Sequence, residues 1–158
     1  IVLGAVQTSC VLGLIILGAT VLGNINSFLG VPDYLTKVVD GLNLTPLALI
    51  AVLLVLYIAL GTVLEGFSII VTTLPVVLPL VVAAGFDPVW FGVVTVIAVE
   101  IGLLTPPFGL SVLTIKSALG NEGIGVADIF IGSLPFVLMM ILVLALLVLF
   151  PGIALMFT

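Results

Sequence analysis

From Leu134 to Phe150 the chain carries no polar side chain at all, and this is only the last of several such runs. Water cannot hold a segment of that kind uncovered, and its length approaches the roughly 20 residues that a membrane-crossing helix requires. Comparable runs fill Ile1 to about Val31, Leu47 to Leu60 and Phe67 to Ala84, and another begins after Pro88. The 158 residues are 64% apolar and 6% charged, against roughly a quarter charged in a soluble domain. The chain is therefore expected to be an all-α integral membrane protein. A net charge of −5 excludes nucleic acid as a partner, because phosphate neutralisation needs a basic surface. The absence of His removes Ser-His triads, His-ligated transition metals and a rhomboid-like protease site. There is no Gly-x-Gly-Asp context for an aspartyl intramembrane protease, so no catalysis is expected. Cys10 cannot form an internal disulfide and is expected as a small buried packing residue. The chain opens inside a hydrophobic run without an initiator Met, which predicts a further N-terminal portion.

Residues 1–31 are expected as one tilted span. Residues 32–46, with Asp33, Lys37 and Asp40 among helically spaced apolar residues, are expected as an interfacial amphipathic connector. Leu47 to Leu60 reaches only about 21 Å as a helix, short of the roughly 30 Å hydrocarbon core, and is followed by Gly61-Thr62-Val63-Leu64-Glu65-Gly66 and a second apolar arm. The reading for residues 47–85 is a re-entrant helical hairpin. Its second arm carries Thr72, Thr73, Pro75 and Pro79 and is expected to face protein or a cavity, since proline frees helix carbonyls. The threonines are expected to bond back to their own helix. Asp87-Pro88 is a helix start, Asp capping and Pro in the first turn. Trp90 and Phe91 just beyond it suit a membrane interface.

The helix from Pro88 then meets Gly102-Leu103-Leu104-Thr105-Pro106-Pro107-Phe108-Gly109. Consecutive prolines remove two amide donors and push the preceding residues out of helical conformation, so 88–119 is read as one broken, unwound transmembrane helix. Gly120 to Gly132 is expected as a polar loop and 133–150 as a last unbroken span. Lys37 and Lys116 fall on opposite sides, so charge sets no orientation.

Both interruptions lie midway through apolar stretches, and a hairpin beside a broken helix would bring them together. Helix-end carbonyls and the hydroxyls of Thr62 and Thr105 are hard oxygen ligands suited to an alkali cation, and half-helix N-termini favour carboxylates. An ionisable group at a membrane break is a functional candidate. Glu65 is thus either an ion-path residue or a loop-tip charge that reaches water. Glu100 either supports the unwound loop or makes a structural bond, Asp87 is expected to be only a helix cap, and Ser111 and Thr114 lie just past the break. A Ser-Lys dyad of Ser111 or Ser117 with Lys116 has no specific spacing to support it.

These residues carry a family resemblance. The runs Gly61 to Pro79, Gly85 to Gly92 and Glu100 to Gly109, with Pro135-Phe136 and Phe150-Pro151, closely resemble the C-terminal half of the large (M, DctM-like) membrane subunit of tripartite ATP-independent periplasmic (TRAP) transporters. The resemblance implies the ion-transporter superfamily, built from two inverted repeats that each hold a re-entrant hairpin and a broken helix. This chain would be the second repeat of an elevator-type permease in a bacterial or archaeal inner membrane. It implies sodium as coupling ion and no other cofactor, a carboxylate substrate (a C4-dicarboxylate, sialic acid or similar organic acid) and symport with sodium. The implied partners are a small membrane (Q) subunit, a periplasmic substrate-binding protein and the N-terminal repeat of the same permease. Gly61, Thr62, Glu65, Gly102, Thr105 and Pro106 would form a sodium site, and Gly66, Ser68, Glu100, Pro107, Gly109 and Ser111 are candidates for substrate contact or for support behind that site. The tip commonly carries Asp where this sequence has Glu65. The alternatives are another sodium/anion symporter of that superfamily, whose Ser-Asn-Thr hairpin motif is not found here, or a non-transporting membrane fragment.

Overall fold

The computed structural model describes residues 2–31, 34, 37, 41, 45–120 and 123–156. Among the described residues the α-helices with full bounds are, in order, α1 (Val2–Phe28), α2 (Pro46–Gly61), α3 (Gly66–Ala83), α4 (Pro88–Leu103), α5 (Leu110–Leu119) and α6 (Val126–Leu149), closed by a 3₁₀ turn at Pro151–Ile153. Among the described residues all regular structure is helical. Helices α1, α3 and α6 are long and apolar enough to cross a membrane. Helix α2, with 16 residues, reaches only about 24 Å. Most of the expected connector, residues 32–46, lies outside the described residues.

Helix starts follow their capping chemistry. The Thr45 hydroxyl accepts the Ala48 amide at 3.3 Å ahead of Pro46. Asp87 accepts the amides of Val89 at 2.7 Å and Trp90 at 3.2 Å ahead of Pro88, as the Asp-Pro pair predicts. Helix α6 starts at Val126, inside the stretch expected as a loop, because the Asp128 carboxylate accepts the Gly125 amide at 2.8 Å and satisfies a donor at the helix mouth.

Helix α4 is the centre of the packing. Trp90, Phe91, Val94, Ala98, Val99 and Ile101 are buried on it. Around it stand Ile50, Leu53, Leu54 and Tyr57 of α2, Ile69, Val77 and Val81 of α3, and Leu144 and Leu147 of α6. The expectation that Trp90 and Phe91 mark a membrane interface is corrected, since they are 1% and 0% exposed. The reason is a carbonyl in need of a donor. Pro151 has no amide hydrogen to give Leu147 one turn back, and the Trp90 indole Nε1–H donates to that oxygen instead, at 2.8 Å. Phe86 stacks on the Trp90 ring with centroids 5.0 Å apart, and Phe91 meets Tyr57 edge-on.

Helix α1 packs on α3, where Gly23 faces Pro75 so closely that a Cβ would lie 2.9 Å from the proline Cβ. Ala19, one turn earlier, is buried as well. Cys10 is exposed, correcting its reading as a buried packing residue: a single contact line along α1 covers one side of the helix and leaves the side bearing Cys10 open.

Candidate functional site

Helix α2 ends at Gly61 and α4 ends at Leu103, and these two ends cross. A Cβ on Gly61 would lie 2.7 Å from the Val99 carbonyl oxygen and 3.1 Å from Gly102 Cα. One on Gly102 would press into the Ile58 carbonyl oxygen and lie 2.7 Å from Gly61 Cα. Only glycine at both positions allows backbone to touch backbone. In lipid no hydrophobic force drives helices together, and small residues that permit this approach are what hold a crossing closed.

Beyond the crossing each chain leaves the helix, and the two irregular segments meet again. The Gly109 amide, where α5 begins, donates to the Thr62 carbonyl at 3.3 Å. Gly109 itself has φ +54°, and a Cβ there would lie 2.8 Å from Phe130 Cε1 of α6. Gly66 faces Val99 at 3.1 Å by the same measure. The Pro106–Pro107 peptide is cis.

The two threonines are used alike. Thr62 is buried, and its hydroxyl donates to Ala59 O at 2.8 Å. The Thr105 hydroxyl donates to Ile101 O. Each spends its one proton on a carbonyl at the end of its own helix, which leaves the oxygen lone pairs as acceptors. A hard cation is what such a donor set can hold.

Glu65 sits at the tip between α2 and α3 and caps α3. Its carboxylate accepts the Phe67 amide at 2.8 Å, the Ser68 amide at 2.9 Å and the Ser68 hydroxyl at 3.0 Å. The remaining candidates are spread around this centre. Glu100 and Pro107 are exposed, Pro106 is exposed on the loop, and Ser111 is half-buried in the first turn of α5. Thr114 bonds back to Leu110 O at 2.9 Å. Lys116 reaches away from both candidate serines, donating to Gly120 O at 3.2 Å and Ile124 O at 2.8 Å, so it closes the turn after α5. A cavity of about 220 Å³ opens beside the loop between Leu104, Thr105 and Pro106 and the α6 residues Phe130, Ser133 and Val137. Its walls are aliphatic and aromatic apart from two hydroxyls, and the Ser133 hydroxyl is turned to Phe130 O at 2.9 Å. That lining does not suit a carboxylate.

Two residues outside the expected set hold the arms of α2 and α3 together. The Tyr57 hydroxyl lies 2.8 Å from Thr73 Oγ1, and Thr73 also donates to Ile69 O at 2.8 Å. A tyrosine in an otherwise aliphatic run, one turn before Gly61, was the available signal.

The family model for the tripartite ATP-independent periplasmic transporter, DctM component, matches residues 1–153. The chain belongs to this DctM family. It is 34% identical over 146 residues to the sialic acid TRAP transporter large permease protein SiaM of Vibrio cholerae, covering 92% of this chain and 34% of that protein. Over 158 residues it is 32% identical to a putative TRAP transporter large permease protein of Haemophilus influenzae, covering 99% of this chain and 36% of that one. The C4-dicarboxylate large permease protein DctM of Rhodobacter capsulatus is 28% identical over 155 residues, 98% of this chain and 34% of that protein. The chain thus spans about a third of the length of these curated relatives. These relatives are transporter permeases by name, not enzymes.

Proposed function

We propose that this chain supplies the second repeat of a sodium-coupled, binding-protein-dependent importer of organic acids that works by an elevator motion. In this reading α2, the tip and α3 form the re-entrant hairpin, and α4, the proline loop and α5 form the broken helix. The observation that carries it is the double junction of the two irregular segments, backbone to backbone at Gly61 and Gly102 and amide to carbonyl from Gly109 to Thr62. Irregular backbone at membrane depth is tolerated only where it is buried in protein or lines a cavity, and transporters place ion and substrate sites there. The hydroxyl lone pairs of Thr62 and Thr105, with carbonyls of the tip and loop, are the groups that would hold sodium.

A carboxylate substrate is supported by relatives that are permeases for sialic acid, C4-dicarboxylates and 2,3-diketo-L-gulonate, although a further relative is a permease for the sulfonate isethionate. The half-helix N-termini at Glu65 and Gly109 are suited to such anions only where their own caps leave amides free. Glu65 already fills the first with its own carboxylate, so the α5 start is the better candidate. A small membrane subunit and a periplasmic binding protein complete the complex on the family pattern. The isethionate relative DctMQ fits that pattern, because the chain covers 19% of it against about a third of the others.

The test is uptake of labelled organic acids into liposomes holding the full-length permease with its small subunit and binding protein, with and without an inward sodium gradient. Gradient-dependent uptake is expected. Thr105→Ala and Glu65→Ala should weaken the sodium dependence while Asp87→Ala lowers only the yield of folded protein. Uptake of no acid by vesicles that contain folded complex, or equal sodium dependence in all three variants, would refute the assignment.

A further inference from the structure

Tyr57 is 1% exposed, and its hydroxyl is the only polar group that the described part of α2 places between Thr45 and Thr62. The direction of its hydrogen bond can be worked out. Thr73 has a single hydroxyl proton and lies 2.8 Å from Ile69 O, so the arrangement that gives both hydroxyl protons an acceptor has the tyrosine donate in the 2.8 Å contact with Thr73 Oγ1. A relay results, from the Tyr57 hydroxyl on α2 to the Thr73 hydroxyl on α3 and on to the α3 backbone. The tyrosine ring also meets Phe91 of α4, with centroids 6.2 Å apart and planes at 63°. Tyr57 therefore touches both arms of the hairpin and the helix behind it, one turn from the Gly61–Gly102 crossing.

We infer that Tyr57 is the positioning residue of the hairpin: its hydroxyl clamps α3 to α2 and so keeps the tip seated on α4 and the proline loop. The seat is visible at Gly66, whose Cβ position lies 3.1 Å from Val99 Cγ1, and Val99 beneath it is 1% exposed. Without the clamp α3 swings from α2 about the tip, Val99 is uncovered, and the Thr62 carbonyl loses its register with the Gly109 amide. The effect on ion binding rests on the transport reading above, whereas the effect on the tip does not.

Tyr57→Phe removes one oxygen and keeps the ring against Phe91, and it strands no donor, since Thr73 remains bonded to Ile69 O. The closing experiment uses the full-length permease complex in liposomes, with Cys10 and every other native cysteine replaced and a single cysteine introduced as Val99→Cys. The rate of maleimide labelling at that cysteine is read beside the sodium concentration that gives half-maximal uptake. Tyr57→Phe is expected to speed labelling about fivefold, the population change that loss of one neutral hydrogen bond produces, and Thr73→Val by at least as much, because it leaves the buried Tyr57 hydroxyl without an acceptor. Both should raise the sodium half-saturation while keeping the maximal rate at saturating sodium. Thr73→Ser retains the hydroxyl and should match the parent protein in both readouts. The two effects should not add in the Tyr57→Phe/Thr73→Val double variant, since either change breaks the same bond. Unchanged labelling in Tyr57→Phe, or equal acceleration in Thr73→Ser, would overturn the inference. Uptake indifferent to sodium in the parent protein would instead refute the proposed function and leave the labelling rates to decide the role of Tyr57.

Discussion

Gly102→Ala is the substitution that the crossing of α2 and α4 tolerates least. The added Cβ meets the Ile58 carbonyl oxygen, Gly61 Cα at 2.7 Å and Gly61 C at 2.9 Å. All three are backbone atoms, so no rotamer change can clear them. Ordinary carbon contacts lie near 3.5–4.0 Å, and parting the helices by about 0.5–1 Å to restore them forfeits a quarter to a half of each dispersion contact along the interface. Overpacking of this kind costs about 1–3 kcal/mol, and a backbone clash belongs at the upper end. The better helix propensity of alanine returns about 1 kcal/mol, so the net loss is about 2 kcal/mol. Gly92→Ala is the matched control, because it lies in the same helix with no atom within 4 Å of its Cβ position. It should gain about 0.5–1 kcal/mol. The two variants should therefore differ by about 3 kcal/mol, or roughly 2–4 °C in Tm for a full-length permease about three times the length of this chain. Scanning calorimetry of the full-length permease in detergent reads that gap directly. Adding Gly61→Ala to Gly102→Ala should cost less than Gly61→Ala alone, because the helices are already parted. Equal Tm values for Gly102→Ala and Gly92→Ala would refute the idea that this backbone contact holds the two irregular segments together.

Trp90→Phe leaves the Leu147 carbonyl, which Pro151 cannot serve, without its indole donor. A loss of about 1–3 kcal/mol is expected for the stranded acceptor, read as a lowered Tm, and an unchanged Tm would show that the indole bond contributes nothing. Gly109→Ala combines a left-handed φ of +54° with a Cβ 2.8 Å from Phe130 Cε1. Its cost should be about 1–2 kcal/mol from the backbone alone, and Phe130→Leu in the same chain should recover only the steric part, measured by the same calorimetry.

The positions of helix ends were legible because they rest on local chemistry. Asp87-Pro88 starts α4, the paired prolines keep residues 104–109 out of helix, and glycines 61 and 102 stand where the two helix ends cross. What stayed hidden depended on partners far along the chain. Trp90 read as an interfacial aromatic because nothing in its own neighbourhood reveals that Pro151, in a different helix's terminus, leaves an acceptor open. Tyr57 and Thr73 each look unremarkable alone, and their pairing exists only once α2 and α3 fold side by side. Gly109 read as part of a break, and it is one, but nothing near it in the chain reveals that Phe130, from a helix that begins beyond the next loop, leaves no room for a side chain there. Cys10 failed for the converse reason, since an apolar surrounding in sequence is satisfied by lipid as readily as by protein.

Alanine substitution at the site's glycines cannot separate packing from ion binding, because the backbone atoms that touch at Gly61 and Gly102 also set where the neighbouring carbonyls point. Any added carbon moves both together. The hydroxyls of Thr62 and Thr105 are different, since each donates to its own helix end, at Ala59 O and Ile101 O, and neither hydroxyl bonds the opposite segment. Replacing threonine by valine keeps the shape and deletes the oxygen, and replacing it by serine keeps the oxygen and deletes a methyl group. A helix-end role loses one weak bond in the valine variant, and that loss is indifferent to sodium. A ligand role loses an inner-sphere oxygen, so the stabilisation that added sodium gives to the folded protein falls in Thr→Val and survives in Thr→Ser. The residues that tell the two roles apart are thus the ones whose side chains hold no part of the crossing.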